Sequence, residues 1–80
     1  MNATAYVLIC VEAGKGRAVM EKVAQLKNVT DVEAVLGPYD LIASVSGSDY
    51  VEIGRLVIEH LQKIDGVQKT LTCNVVNFEQ

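Results

Sequence analysis

Apolar residues recur along this chain with two different spacings, and the order of those spacings constrains the fold most strongly. Alternating apolar residues, or short apolar runs rich in β-branched residues, are typical of strands, whereas a spacing of i, i+4 and i+7 is typical of a helix. The observed order is strand, helix, strand, strand, helix, strand. The predicted elements span residues 6–11, 17–27, 30–36, 41–46, 49–64 and 67–76.

Turn-forming residues separate these elements. A Gly-Lys-Gly segment at 14–16 ends the first strand, and the Gly-Pro-Tyr-Asp segment at 37–40 joins the second and third strands into a hairpin. Asp49 followed by Glu52 is close to a capping box, which predicts the start of the second helix. The Asp-Gly step at 65–66 predicts its end.

This order of elements predicts a ferredoxin-like α+β sandwich. Two split βαβ units form a four-stranded antiparallel sheet, and right-handed crossovers place both helices on the same face of it. Eighty residues leave room for one domain, so we expect residues 1–80 to form a single ligand-binding and oligomerisation unit.

The second face of such a sheet has no helix to cover it. The first strand, residues 6–11, is apolar on both faces, and soluble monomers rarely expose large contiguous apolar patches. A chain of this size also builds a core that supplies only about 3–5 kcal/mol. We therefore expect a second copy to cover the bare face, most simply in a two-fold dimer.

Charge and composition exclude several classes of function. The net charge of −3 argues against a nucleic-acid-binding module, because such modules carry a basic patch. No membrane span, signal peptide or nucleotide-binding motif is apparent, so a cytoplasmic protein is expected. The spacing of Cys10, Cys73 and the single His60 is not that of metal ligands, so no metal and no cofactor are expected. The two thiols are expected to be reduced and buried.

The segment 35–42, which contains the Gly-x-Tyr-Asp turn, resembles the hairpin of the Lrp/AsnC family of amino-acid-responsive transcription regulators. In that family the turn joins the second and third strands of the effector-binding module, also known as the RAM (regulation of amino acid metabolism) domain. Residues 15–18 are similar to the start of the family's first helix. Residues 61–72 are similar to its second helix end, Gly-Val step and Thr-x-Thr strand, so the resemblance extends from Ala5 to Val76.

Two departures from the family pattern affect what the resemblance implies. Lys15 stands where the family often has proline, which is a mild change. We expect the family's N-terminal helix-turn-helix domain to be absent, because Met1 lies only a few residues before the first strand. The resemblance therefore implies a stand-alone effector-binding and assembly module without direct nucleic-acid binding.

The resemblance places the effector site near the 37–40 turn, between subunits or between dimers. Gly37 permits close approach of a ligand carboxylate to backbone N–H groups, Asp40 is suited to accept from an ammonium group, and Tyr39 offers a ring and a hydroxyl. Thr70 and Thr72 on the last strand are further candidates for polar contacts. The alternative is ordinary hairpin chemistry, in which Asp40 bonds only to local backbone.

The favoured function is regulatory rather than catalytic: a dimer, assembled further into a ring of dimers, binds a small amino acid and co-assembles with full-length regulators. One alternative is a small dimeric enzyme of the cofactor-free monooxygenase type. It would need His60 as a base, although His60 is expected to be a half-buried packing residue. A purely structural oligomerisation domain and an ACT-type amino-acid sensor are the others, and the Gly-x-Tyr-Asp turn favours Lrp/AsnC over the ACT type.

Overall fold

Four strands form one antiparallel sheet, in which the strands lie in the order second, third, first and fourth along the chain, and two helices pack on one face of it. A computed structural model describes residues 2–78. The elements are β1 (Ala3–Val11), α1 (Gly16–Ala24), β2 (Val29–Ala34), β3 (Leu41–Gly47), α2 (Tyr50–Glu59), a short 3-10 helix (Leu61–Lys63) and β4 (Val67–Asn74). This arrangement confirms the predicted ferredoxin-like βαββαβ fold.

The core lies between the helix-facing side of the sheet and the two helices. β1 alternates strictly there, because its odd-numbered residues from Ala3 to Ile9 are buried while Thr4 and Tyr6 point away. Burying a side chain the size of Ile9 or Leu41 contributes roughly 1.5–3 kcal/mol. The buried residues of the core are Ala3, Ala5, Val7, Ile9, Val19, Val23, Leu41, Ala43, Val45, Ile53, Leu56, Val57 and Leu61.

The opposite side of the sheet, here called the open face, has no helix across it. Cross-strand pairing aligns Leu8 with Ile42 of β3 and with Leu71 of β4. It also aligns Tyr6 with Cys73 of β4. Directly paired residues of antiparallel strands point to the same face, so these side chains form one surface. Tyr6 and Leu71 remain 47% and 46% exposed on it.

Both helices end earlier than their apolar patterns predict. In α1 the backbone tightens after Ala24, where Leu26 N donates to the carbonyl of Val23 at 3.1 Å, a three-residue spacing that ends the α-helix. α2 ends at Glu59. The 3-10 helix that follows turns Leu61 into the core and leaves His60 exposed, so the prediction of a half-buried His60 is wrong.

Two strands are also shorter than predicted. β2 ends at Ala34, so Leu36 lies outside the sheet and is fully exposed. β4 ends at Asn74, and the chain beyond it is held by Val75, whose N–H donates to the carbonyl of Thr4 at 2.9 Å. The carbonyl of Val75 in turn accepts from the Tyr50 hydroxyl at 2.7 Å, which ties this segment to the first turn of α2.

The N-terminus of α2 is capped in a variant of the predicted capping box. The Asp49 side chain accepts from the N–H of Glu52 at 2.9 Å, as predicted. The Glu52 carboxylate, however, accepts from the backbone and hydroxyl of Ser48 rather than from Asp49. It also accepts from Asn28 Nδ2 at 3.4 Å, which connects the helix start to the loop before β2.

The Glu52 carboxylate makes stability depend on pH. The hydrogen bond from the Ser48 N–H, followed by those from the Ser48 hydroxyl and Asn28, lowers the pKa of Glu52 below its ordinary value of 4.5. Because the folded-state pKa is the lower one, this contribution to stability is present above about pH 4.5 and is lost as pH falls through the folded-state pKa. We expect Glu52→Gln to flatten the acid limb of a plot of urea midpoint against pH.

The matched control is Glu21→Gln, which removes a carboxylate from the exposed side of α1, away from Ser48 and Asn28. Identical acid limbs for the two variants would contradict this account of Glu52.

Candidate functional site

The 37–40 turn is attached to β1 by Asp40. The backbone N–H of Asp40 donates to the carbonyl of Ile9 at 2.9 Å, and its carbonyl accepts from Val35 N at 2.9 Å. Its side chain accepts from the backbone N–H of Val11 at 2.9 Å, where the register between β1 and β4 shifts. Three bonds therefore hold Asp40, and its side-chain bond goes to the backbone of β1 rather than to the local backbone of the hairpin.

The tip of the turn is open to approach. Gly37 is exposed, with φ +158°, and a Cβ added there would meet no atom within 4 Å. The carbonyl of Pro38 accepts a weak hydrogen bond from Cys10 Sγ at 3.5 Å, which joins the turn to a side chain on the open face. Tyr39 is half-buried beside it. The backbone at Gly37 is consequently accessible to a ligand.

Asp40 also borders an open cleft of about 470 Å³, here called the α1 cleft. The cleft lies between the end of β1, the start of α1 and the adjoining ends of β2 and β3. Glu12, Arg17 and Asp40 provide its charged groups. The remaining lining residues are Val11, Ala13, Gly14, Gly16, Met20, Ala34, Val35 and Leu41.

An ion-pair network fixes the loop at one side of this cleft. Lys15 Nζ lies 3.0 Å from Asp65 Oδ2 and 3.7 Å from Glu12 Oε1, and the hydrogen bond to Asp65 raises the pKa of Lys15. The backbone N–H of Glu12 donates to the carbonyl of Gly66 at 2.8 Å. Gly66 has φ +100°, and a Cβ there would lie 2.9 Å from Val19 Cγ2, so only glycine fits.

Thr70 and Thr72 lie in a different place, a groove between α2 and β4 of about 270 Å³, here called the β4 groove. Gln62 Nε2 donates to Thr70 Oγ1 at 2.9 Å across it. Both threonines pair with β1 residues that point toward the helices, which sets them on the helix side of the sheet. The other lining residues are Tyr50, Ile53, Gly54, Val57, Ile58 and Asn74.

The five predicted site residues therefore divide into two groups. Gly37, Tyr39 and Asp40 lie together at the turn, whereas Thr70 and Thr72 line the β4 groove. No residue lines both the α1 cleft and the β4 groove. Within one chain the structure does not bring the two groups together.

Sequence reasoning missed the contribution of Glu12, Arg17 and Met20 to the cleft beside Asp40. Glu12 lies in the loop after β1, and Arg17 and Met20 lie on α1. The predicted topology contains the missing signal, because β1 and β3 are antiparallel neighbours and the end of one meets the start of the other. Residues that follow β1 are for that reason neighbours of Asp40.

The two thiols and the imidazole of His60 add no reactive group to the α1 cleft or to the β4 groove. The thiol of Cys10 is half-buried and that of Cys73 is exposed, so the prediction that both thiols are buried is wrong. Both lie on the open face. His60 lines neither the α1 cleft nor the β4 groove. Residues 2–78 contain no group of three or more His, Cys, Asp and Glu side chains able to hold a metal ion.

A membrane-crossing helix is likewise not found in the described part of the chain, where no helix is long and apolar enough.

Comparisons with known proteins give a consistent result. The model of the family described as Lrp/AsnC ligand binding domain matches residues 4–77. The uncharacterized HTH-type transcriptional regulator PH1916 of Pyrococcus horikoshii is 39% identical over 75 residues, which cover 90% of this chain and 50% of that protein. The chain thus spans about half the length of the curated relatives it matches.

Two solved structures illustrate the likeness in three dimensions. TTHA0845 from Thermus thermophilus has a TM-score of 0.89 and 35% identity, with 94% of each chain covered. The transcriptional regulator NMB0573 from Neisseria meningitidis, solved as an L-Met complex, has a TM-score of 0.84 and 19% identity, covering 98% of this chain and 52% of that one. At that identity the second likeness shows the fold alone.

We expect the hydrogen bond from the Val11 N–H to the Asp40 carboxylate to stabilise the folded state. Asp40→Ala leaves the Val11 N–H without its acceptor, and we expect it to lower the free energy of unfolding by about 1 kcal/mol. Asp40→Asn, which keeps a side-chain acceptor, should lose less. Urea denaturation measures both, with Glu21→Ala on exposed α1 as the control. An unchanged midpoint for Asp40→Ala would show that the bond does not hold the turn.

Proposed function

Because the chain belongs to the Lrp/AsnC ligand binding domain family, we propose that it is a regulatory module that binds a small amino acid and controls the assembly of transcription regulators. The family match covers residues 4–77, and the family resemblance inferred from the sequence motifs is confirmed. The family is one of ligand-binding domains, which supports a non-catalytic role. We expect the module to act in the cytoplasm and not to bind nucleic acid itself.

The observation that carries the proposal is the position of Asp40. Its carboxylate takes a hydrogen bond from Val11 and still borders the α1 cleft, beside a turn whose backbone at Gly37 is accessible. A zwitterionic amino acid offers an ammonium group for Asp40 and a carboxylate for backbone N–H groups. The neisserial regulator was solved as a complex with L-Met, which supports extending the amino-acid class to this chain.

Assembly of subunits gives a role to the remaining candidate residues, which are Tyr39, Thr70 and Thr72. Because the turn and the β4 groove are separate within one chain, a site that uses both groups takes them from two subunits. Tyr39 then supplies a ring and hydroxyl from the turn, and the threonines supply hydroxyls from a neighbouring β4. A ligand bound between subunits favours one assembly state over another, which couples binding to regulation.

The open face supports a dimer as the first step of assembly. Its centre is apolar around Leu8 and Leu71, and its two edges carry opposite charge. Asp31 and Glu33 pair with open-face positions of β3 at the β2 edge, and Lys69 pairs with Cys10 at the β4 edge. A partner sheet rotated about an axis along the strands puts each acidic edge across from the basic edge.

Higher assembly follows as part of the same proposal. Dimers join into a ring of dimers, and the module co-assembles with full-length Lrp/AsnC regulators, so that the amino acid changes which assembly is populated. The enzyme alternative loses support because His60, its only candidate base, is exposed and borders neither cleft. A purely structural oligomerisation domain is the other alternative, and a ligand titration distinguishes it from an amino-acid-binding module.

Isothermal titration calorimetry against the twenty amino acids, up to several millimolar, tests ligand binding. We expect heat of binding for at least one of them and at least a tenfold weaker affinity in Gly37→Val, because the added side chain fills the space above the accessible backbone. The control, Ala18→Ser on the exposed side of α1, should bind as the wild type does. Absence of binding heat for all twenty would leave only an oligomerisation role.

Light scattering tests the dimer through the charged edges of the open face. We expect wild type to have the mass of two or more chains, Lys69→Glu to shift the equilibrium toward the 8.7 kDa monomer, and the double variant Lys69→Glu with Glu33→Lys to recover. Glu21→Lys makes an equal charge change on α1 and serves as the control. Equal masses for Lys69→Glu and the double variant would contradict the proposed orientation.

A further inference from the structure

Leu36 is an apolar side chain at the turn between β2 and β3 that packs on nothing in its own chain. It lies outside the sheet, is fully exposed and borders neither the α1 cleft nor the β4 groove. Pro38, two residues further along the turn, is exposed as well. Single exposed apolar side chains are common, so Leu36 indicates a contact only if another surface of the molecule is able to receive it.

The β4 groove is a surface of that kind. Its α2 wall consists of Ile53, Val57 and Ile58 around Gly54, and Ile58 is 63% exposed. A Cβ added at Gly54 would meet no atom within 4 Å, so the wall is open where a side chain would otherwise stand. The groove therefore offers apolar surface and free space to an incoming apolar side chain.

The turn and the groove lie at opposite edges of the sheet. β2 and β4 are the two edge strands, and β3 and β1 separate them, so Leu36 cannot reach the groove of its own chain. Two copies placed edge to edge bring one chain's turn to the other chain's groove. A contact between two different surfaces of identical chains is heterologous, and it closes into a ring when the rotation between copies allows.

The proposed open-face dimer is compatible with this contact. Its two-fold axis along the strands sets the β2 edge of one copy beside the β4 edge of the other. Each side of the dimer then presents one Leu36 and one β4 groove, so two neighbouring dimers make the contact twice.

Charge also favours the approach of the two edges. No lysine, arginine or histidine occurs between positions 28 and 54, and the β2–β3 hairpin carries Asp31, Glu33 and Asp40. Beside the groove, the exposed side chains of Arg55, Glu59 and Lys63 follow Gly54, Ile58 and Gln62 and leave one net positive charge. An acidic hairpin and this neighbourhood of the groove are complementary in sign.

From these features we infer that Leu36 inserts into the β4 groove of a second copy in a neighbouring dimer and thereby joins dimers into the higher assembly. Leu36 packs against Gly54 and Ile58 of that copy. The inference rests on the proposed function and deepens it, because the contact sets the turn beside the threonines of the neighbouring β4. The proposed amino acid then lies at the same junction, next to the Leu36 contact.

Sedimentation velocity at protein concentrations from micromolar to millimolar tests the contact. We expect wild type to form assemblies larger than a dimer of the 8.7 kDa chain. Leu36→Ser, which removes the inserted side chain, and Gly54→Leu, which fills the groove, should each raise the dissociation constant between dimers at least tenfold and leave the dimer intact. Either variant retaining the wild-type assembly would overturn the inference.

The chain offers matched controls for both variants. Val51→Ser shortens an exposed apolar residue of α2 outside the groove, and Ala18→Leu adds a leucine to the exposed side of α1. Both should assemble as the wild type does. Leu36 makes no packing contact to lose, and leucine has a higher helix propensity than glycine, so we expect the test variants to fold, which thermal unfolding checks.

A mixture of the two variants distinguishes a heterologous contact from a symmetric one. Leu36→Ser keeps its groove and Gly54→Leu keeps its leucine at the turn, so dimers of one variant retain one contact with dimers of the other. We expect the mixture to associate beyond the dimer where each variant alone does not. A mixture that stays dimeric would show that Leu36 does not enter the groove.

Calorimetry with the twenty amino acids on the same samples separates the inference from the function on which it rests. If an amino acid binds but Leu36→Ser assembles as the wild type does, the proposed ligand binding stands and only the role of Leu36 is wrong. If no amino acid binds but both variants lose the higher assembly, the contact stands and the proposed ligand binding fails.

Discussion

The pairing of β1 with both β3 and β4 is the interaction on which the rest of this structure depends. β1 is a central strand, so its two faces meet different surroundings. One face, from Ala3 to Ile9, is buried beneath the helices and supplies much of the apolar burial that a chain of this size needs. The other face carries apolar residues that no helix of residues 2–78 covers, which supports the proposed association of two copies.

The same strand positions the candidate site. β1 ends at Val11, where its register with β4 shifts and its N–H donates to Asp40. This bond joins the loop after β1 to the turn before β3, and the α1 cleft forms between them. The loop is fixed on its other side by the contacts of Lys15 with Asp65 and of Glu12 with Gly66. The cleft is therefore bounded by held segments rather than by free loops, as expected of a preorganised binding site.

The open face and the site are linked by short paths through the structure. The Cys10 thiol contacts the carbonyl of Pro38 in the turn, and Val35 lines both the α1 cleft and a depression on the open face. Cys10 therefore connects the open face directly to the turn, and Val35 connects it to the cleft beside the turn. These contiguous contacts are the physical connection through which the proposed coupling between ligand and assembly would act.

The sequence determined the order of the elements and the position of the turn, because apolar periodicity and turn chemistry are local properties. It did not determine which face of β1 meets the helices, because residues 6–11 are apolar on both faces. Alternation places Thr70 and Thr72 on one face of β4, and only their pairing with Ile9 and Val7 sets that face toward the helices. The sequence also left the ends of the helices undetermined, because the early stop at Ala24 and the exposure of His60 result from tight turns that place Leu61 in the core.

Only the tertiary structure decided which chemical groups meet. It separated Thr70 and Thr72 from the turn, since they line a groove between α2 and β4, and it brought Arg17 to the cleft beside Asp40. These contacts join residues far apart in the chain, and they depend on strand order, on the register shift at Val11 and on backbone hydrogen bonds between loops. Local patterns establish which residues share a face of a strand, whereas proximity between loops is decided by how the whole sheet is assembled.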